Sequence, residues 1–88
     1  MAAAPLKVSV VAADHEVWSG EASMVVARTV EGQIGILAGH EPMLAILASG
    51  EVRVTLSGGE KIVAEAADGF LSVANDVVTI VARKAELV

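Results

Sequence analysis

Hydrophobic and polar residues alternate one by one in the second half of the chain. Val52, Val54 and Leu56 are each followed by a polar residue, and a similar alternation resumes over 61–66 after the pair Gly58-Gly59. A period of two places apolar side chains on one face of a strand and polar ones on the other. The two runs, with a glycine turn between them, therefore predict a β-hairpin.

A second hairpin is predicted from Phe70–Ala74, the turn pair Asn75-Asp76, and the return run Val77–Ala82. The return run is apolar at almost every position, which is typical of a strand covered on both faces. It is expected to lie in the middle of a sheet.

Turn signals divide the whole chain into segments too short for typical helices and rich in β-branched residues. They are Ser19-Gly20, Glu31-Gly32, Gly39, Ser49-Gly50, Ser57–Gly59, Asp68-Gly69 and Asn75-Asp76. The earlier segments predict five further strands, Leu6–Ala12, Val17–Trp18, Ala22–Thr29, Ile34–Leu37 and Leu44–Ala48, with a short helix as the alternative around 43–48. Nine or ten antiparallel strands must close into an all-β two-sheet sandwich or flattened barrel.

Composition narrows the possible functions. The 88 residues suffice for one domain, 1–88. Because 55% of them are hydrophobic, disorder is excluded. Because there is no cysteine, disulfides and thiolate chemistry are excluded as well. The net charge of −5 is the wrong sign for a nucleic-acid surface. No signal peptide or 18-residue apolar run is present, so a cytosolic domain whose residues 1–5 fray is expected.

Local motifs for chemistry are lacking. His15 and His40 do not have the paired spacing of a zinc site, and no activated nucleophile or phosphate-loop motif occurs. No catalytic residue, metal or cofactor is therefore expected. Two alternatives stay open: a small β-barrel that binds a ligand or another protein, and a hydrolase that uses His40 with Glu31 or Glu41.

The segment EGQIGILAGHEPML, residues 31–44, differs from ordinary scaffold. Three glycines bracket two apolar runs, and positive φ angles are predicted at Gly32 and Gly39. One interpretation is a strand between two tight turns. The other is a pair of shaped loops that present Gln33, His40 and Glu41 to a partner.

This segment closely resembles the epsilon-subunit family of bacterial F-type ATP synthases. The other matching blocks, in the family's order over about Leu6 to Ala85, are Trp18-Ser19-Gly20, Gly50-Glu51-Val52-Arg53, Gly69-Phe70-Leu71 and Val78–Ala82. The resemblance implies a flattened ten-stranded antiparallel β-sandwich. It also implies a non-catalytic rotor subunit of the central stalk, peripheral on the cytoplasmic face of the bacterial cell membrane, that couples proton translocation to ATP synthesis.

By resemblance, the partners are the gamma subunit and the c-ring, with no nucleic acid and no direct membrane insertion. The residues expected to contact the c-ring are Gln33, where members often have an acid, His40, Glu41 and Pro42. Trp18 and Met43 are candidates for gamma, with core packing as the favoured alternative.

The end of the chain departs from the family. Members usually continue into a two-helix hairpin that carries inhibition of ATP hydrolysis, whereas here residues 83–88 form only a stub where that hairpin would begin. The inhibitory role and ATP binding are therefore not expected of these residues.

Overall fold

A computed structural model describes residues 5–88, so most of the segment expected to fray, residues 1–4, lies outside the described part. Six strands follow one another along the chain. They are β1 (Leu6–Val11), β2 (Glu16–Thr29), β3 (Gly32–Leu37), β4 (Met43–Leu56), β5 (Lys61–Ala74) and β6 (Val77–Leu87). No helix occurs within residues 5–88. Residues 43–48, for which a short helix is the alternative prediction, form the start of β4. The all-β prediction is confirmed.

The strands form one sheet in the order β1-β6-β5-β4-β2-β3, and β1 also pairs with β2. This second pairing of β1 closes the sheet on itself, while β3 lies beside β2 as an edge strand. The molecule measures 38 × 23 × 19 Å and is therefore elongated.

The predicted number of ten strands is wrong, because several turn signals lie within continuous strands. Ser49-Gly50 lies inside β4 and Asp68-Gly69 inside β5. Asp68 has a φ of 59°, so the backbone bends sharply there without reversing its direction. One long strand thereby contributes to both layers of the sandwich, where the sequence pattern indicates two short ones.

Burial along the long strands shows where they change layers. In β4 the buried positions change from odd numbers, at Leu47, to even numbers, at Val52. In β5 they change in the opposite sense, from Ala66 to Leu71. Such a switch turns the other face of the strand toward the core. The bend between the two halves keeps both of them against the same core.

One pair of strands also differs from the prediction, because β1 and β6 are parallel. The closed ring contains the five strands β1, β6, β5, β4 and β2. Directions cannot alternate all the way around a ring with an odd number of members, so one neighbouring pair must be parallel. That pair is formed by the first and last strands, which no turn connects.

Both predicted hairpins are confirmed. Val54 pairs with Ile62 in the β4–β5 hairpin, and Val73 pairs with Val78 in the β5–β6 hairpin. Asn75 and Asp76, at the turn of the second hairpin, have φ angles of 51° and 61°. Two left-handed residues are what a two-residue hairpin turn favours, because this turn matches the twist of the strands.

The core lies between the layers and is made of aliphatic side chains. The largest that are fully buried are Leu6, Val10, Val25, Ile36, Val52, Val54, Leu71, Val73, Val78 and Ile80. In the expected stub, residues 83–88, β6 continues to Leu87. Lys84–Leu87 pair with the first half of β5, and Ala85 is buried there.

Gly69 of β5 lies directly against the backbone of β6. A Cβ added there would lie only 1.8 Å from the carbonyl oxygen of Val81 and 2.6 Å from the Cα of Ala82. Since both atoms belong to the backbone, Gly69→Ala is expected to lower the free energy of unfolding by about 3 kcal/mol. Urea denaturation measures this loss.

Gly35→Ala is the matched control, because a Cβ there would meet no atom within 4 Å. We expect it to change the free energy of unfolding by less than about 0.5 kcal/mol. Equal unfolding midpoints for the two variants would contradict the close approach of β5 and β6.

Candidate partner-binding surfaces

The β3–β4 loop, residues 38–42, contains three of the four residues expected to contact the c-ring. His40, Glu41 and Pro42 follow one another there, and Glu41 and Pro42 are exposed. Gly39 enters the loop with a φ of 85°, and Gly32 begins β3 with a φ of 125°. The positive φ angles predicted at both glycines are confirmed.

Hydrogen bonds fix the conformation of this loop. The N–H of His40 donates to the carbonyl of Leu37 at 3.2 Å, and the Nδ1 atom of His40 lies 2.7 Å from the carbonyl oxygen of Glu41. The N–H of Gly39 donates to the Asp76 carboxylate at 2.7 Å. Because the His40 ring bonds to a backbone carbonyl and not to a carboxylate, it lacks the orienting acid that the hydrolase alternative requires.

Gln33 lies apart from the loop, near the other end of β3. It is exposed and pairs with Arg28 of β2. Leu37 lies four positions further along the chain, which corresponds to about 13 Å along a strand. The structure therefore brings His40, Glu41 and Pro42 together and connects them to Gln33 along the sheet edge.

Trp18 and Met43, the candidates for gamma contacts, are partly buried and pack against the core. Trp18 is opposite Val10, and Met43 is opposite Val73, and both of these partners are buried. The ring of Trp18 lies over Gly20, where a Cβ would be 2.8 Å from it. This packing agrees with the alternative that the sequence favours, which is that both side chains belong to the core.

An exposed apolar face, which the sequence pattern does not reveal, lies on the outside of one layer. It consists of Leu44 and Ile46 of β4, Phe70 of β5, Val81 of β6 and Val11 of β1. Leu44, Ile46 and Phe70 are 72%, 62% and 42% exposed. Ile46 pairs with Phe70, Phe70 with Val81, and Val81 with Val11, so the apolar row crosses four strands. The neighbouring row on this face runs from Leu44 through Ser72 and Thr79 to Ser9. It contains only uncharged residues.

The outside of the other layer is charged. Glu51, Glu65 and Glu86 are directly opposite one another across β4, β5 and β6. Arg53 donates to the Glu51 carboxylate at 3.0 Å and so offsets part of this like-charge repulsion. Of the two outer surfaces described, the apolar face therefore loses less hydration when it is covered.

An open cleft of about 680 Å³ lies between the β1–β2 connection and the second half of β6. Small residues such as Ala66 and Ala85 line it, together with side chains of both charges, including Asp14, His15 and Arg83. The hydrogen bond and charge of His15, 2.6 Å away, lower the pKa of Asp14 below its ordinary value. This mixture of charges indicates no particular ligand.

Within residues 5–88, no group of three His, Cys, Asp or Glu residues is placed to hold a metal ion. The described chain also has no helix with the length and apolarity needed to cross a bilayer.

Comparison with known proteins places the chain in a family. The model of the ATP synthase delta/epsilon chain β-sandwich domain matches residues 5–88. The chain belongs to this family. Its sequence is 51% identical over 85 residues to the ATP synthase epsilon chain of Streptomyces avermitilis, covering 97% of this chain and 68% of that one. It is also 51% identical to the epsilon chain of Micrococcus luteus, covering 96% and 92%.

A solved structure supports the same assignment. A chain in the mitochondrial ATP synthase of Euglena gracilis, in a structure of OSCP, F1 and c-ring, superposes with a TM-score of 0.90 and 30% identity. The match covers 96% of this chain and 54% of the Euglena chain. Epsilon chains are structural and regulatory subunits of ATP synthase, so the expectation of a non-catalytic protein is confirmed. The chain is therefore an epsilon-type chain of the ATP synthase family.

The positive φ of Gly39 gives a test of the loop. A Cβ at Gly39 would meet no atom within 4 Å, so a substitution there is opposed only by backbone strain. Gly39→Val is expected to lower the free energy of unfolding by about 2 kcal/mol, because β-branched residues avoid left-handed conformations. Gly39→Asn, which tolerates them, is expected to cost less than about 1 kcal/mol. Equal losses in urea denaturation would refute the left-handed geometry.

Proposed function

We propose that this epsilon-type chain belongs to the central stalk, binds both the gamma subunit and the c-ring, and transmits rotation between them on the cytoplasmic face of the bacterial membrane. The observation that carries the proposal is the match, over nearly the whole chain, to a chain of an assembly that contains F1 and the c-ring. The molecule has two different exposed surfaces, the 38–42 loop and the apolar face, and these suit two different partners.

The c-ring is proposed to bind the 38–42 loop and the neighbouring edge strand. His40, Glu41 and Pro42 would form the centre of this contact, and Gln33 its far end. The loop presents polar groups whose backbone is already ordered by hydrogen bonds to Leu37 and Asp76. An ordered loop loses little conformational entropy on binding, which favours contact with a polar partner.

Gamma is proposed to bind the apolar face, with Trp18 and Met43 supporting this layer from the core side. Leu44 and Ile46 are exposed on it although they belong to a strand with a well-packed inner side. Exposed apolar rows of this kind mark protein interfaces, because covering them releases ordered water. The absence of charged side chains from the neighbouring hydroxyl row lowers the desolvation cost further.

The two surfaces adjoin one another on β4. Pro42 ends the loop, and Leu44, the first residue of the apolar face, follows two residues later. Each elementary charge that crosses the membrane supplies about 2.3 kcal/mol per 100 mV. A closed, densely packed sheet deforms little, so it can pass this work from one partner to the other without chemistry of its own.

Changes in the 38–42 loop test the contact with the c-ring. Glu41→Lys and His40→Ala are each expected to weaken binding to purified c-ring about fivefold, the usual effect of an exposed polar contact, and to leave gamma binding within twofold. Surface plasmon resonance with each partner measures both affinities. Glu65→Lys in the first half of β5 is the control for the same change of charge. Equal losses for the two partners, or a ring affinity that the control alters as much, would count against the assignment.

The apolar face gives the reciprocal test. Ile46→Glu is expected to weaken gamma binding by at least tenfold, because it places a charge at the centre of a desolvated contact, and to leave ring binding within twofold. Leu87→Glu introduces the same charge at an exposed apolar position outside the face. Unchanged gamma binding by Ile46→Glu would remove the apolar face from the proposal.

A further inference from the structure

Asp76 joins three separate parts of the chain at one end of the molecule. Its carboxylate oxygen Oδ1 accepts a hydrogen bond from the N–H of Gly39 at 2.7 Å. Its backbone carbonyl accepts one from the N–H of Lys7, at the start of β1, at 2.8 Å. The residue itself lies in the β5–β6 turn.

The backbone that carries this carboxylate is well fixed. Asn75 and Asp76 both adopt the left-handed conformation of a tight hairpin turn, and the bond to Lys7 adds an attachment to the neighbouring strand. The carboxylate is therefore presented from a rigid position.

The loop has few other attachments. Its remaining hydrogen bonds are local, from His40 to Leu37 at the end of β3 and between the His40 ring and Glu41. Among the loop and side-chain hydrogen bonds of residues 5–88, the one to Asp76 alone joins loop 38–42 to a distant segment. It acts on Gly39, the residue with the greatest backbone freedom in the loop.

We infer that Asp76 is a positioning residue for the partner-binding loop: it touches no partner, but holds Gly39 so that His40 and Glu41 are presented in one arrangement. The inference rests on the proposed contact between this loop and the c-ring. Without the carboxylate, the loop samples several conformations and only a fraction of molecules is ready to bind, so the apparent affinity falls by that fraction.

Three substitutions in the β5–β6 turn separate this role from general stability. Asp76→Gly keeps the left-handed backbone and removes the acceptor, whereas Asp76→Asn keeps both a left-handed preference and a carbonyl acceptor. Asn75→Gly removes a side chain at the adjacent left-handed position, where the side chain makes no hydrogen bond in the described structure. The three variants are expected to have closely similar urea midpoints.

Amide hydrogen exchange of Gly39, followed by NMR in the free chain, measures the hold on the loop directly, and surface plasmon resonance measures binding to the c-ring. For Asp76→Gly we expect Gly39 to exchange about tenfold faster and ring affinity to fall roughly threefold to tenfold, with gamma affinity unchanged. Asp76→Asn and Asn75→Gly are expected to stay within twofold of the unmodified chain in both measurements.

The two readouts distinguish the possible failures. Unchanged exchange at Gly39 in Asp76→Gly would overturn the hold of Asp76 on the loop, whatever the partner. Faster exchange with unchanged ring binding, while His40→Ala weakens that binding, would overturn the positioning role alone. Faster exchange with ring binding insensitive to both changes would overturn the proposed ring contact, and the role of Asp76 in it.

Discussion

Strand β1 is hydrogen-bonded on both sides, antiparallel to β2 and parallel to β6, and this double pairing closes the sheet. With the ring closed, every inward-facing residue must fit one narrow space between two layers. The strands can meet this requirement only by bending, and β4 and β5 therefore change the face that they bury partway along their length. The bend at Gly69 depends on a backbone contact that no residue with a Cβ could make.

The same bends give the molecule two unlike outer surfaces. The halves of β4, β5 and β6 that lie in one layer carry the exposed apolar row through Ile46 and Phe70. The halves in the other layer carry the glutamates that face one another across these strands. The proposed gamma contact uses only the apolar surface, because covering the charged surface would cost more hydration.

The conformation of the 38–42 loop also depends on closure of the sheet. Sheet closure brings the β5–β6 turn beside the β3–β4 loop, although 37 positions separate Gly39 from Asp76 in the sequence. Two tight turns, each needing left-handed residues, thereby form one ordered end of the molecule. The loop, the apolar row and the closed core between them form a continuous structure through which force can pass.

The sequence by itself determined the all-β class, both hairpins and the left-handed glycines at positions 32 and 39, because period-two alternation and glycine turns are local properties of the chain. The run of family motifs also singled out segment 31–44, whose contact with the c-ring stays a prediction. Tertiary structure alone decided the strand number, since Asp68-Gly69 can reverse a chain or bend it, and only the pairing with β6 selects the bend. It also decided that Ile46 is exposed while Leu47 is buried, because both are apolar and only the register of β4 against β5 distinguishes their faces. Tertiary structure likewise decided the contact between Gly39 and Asp76, because this contact exists only once closure has brought two distant turns together.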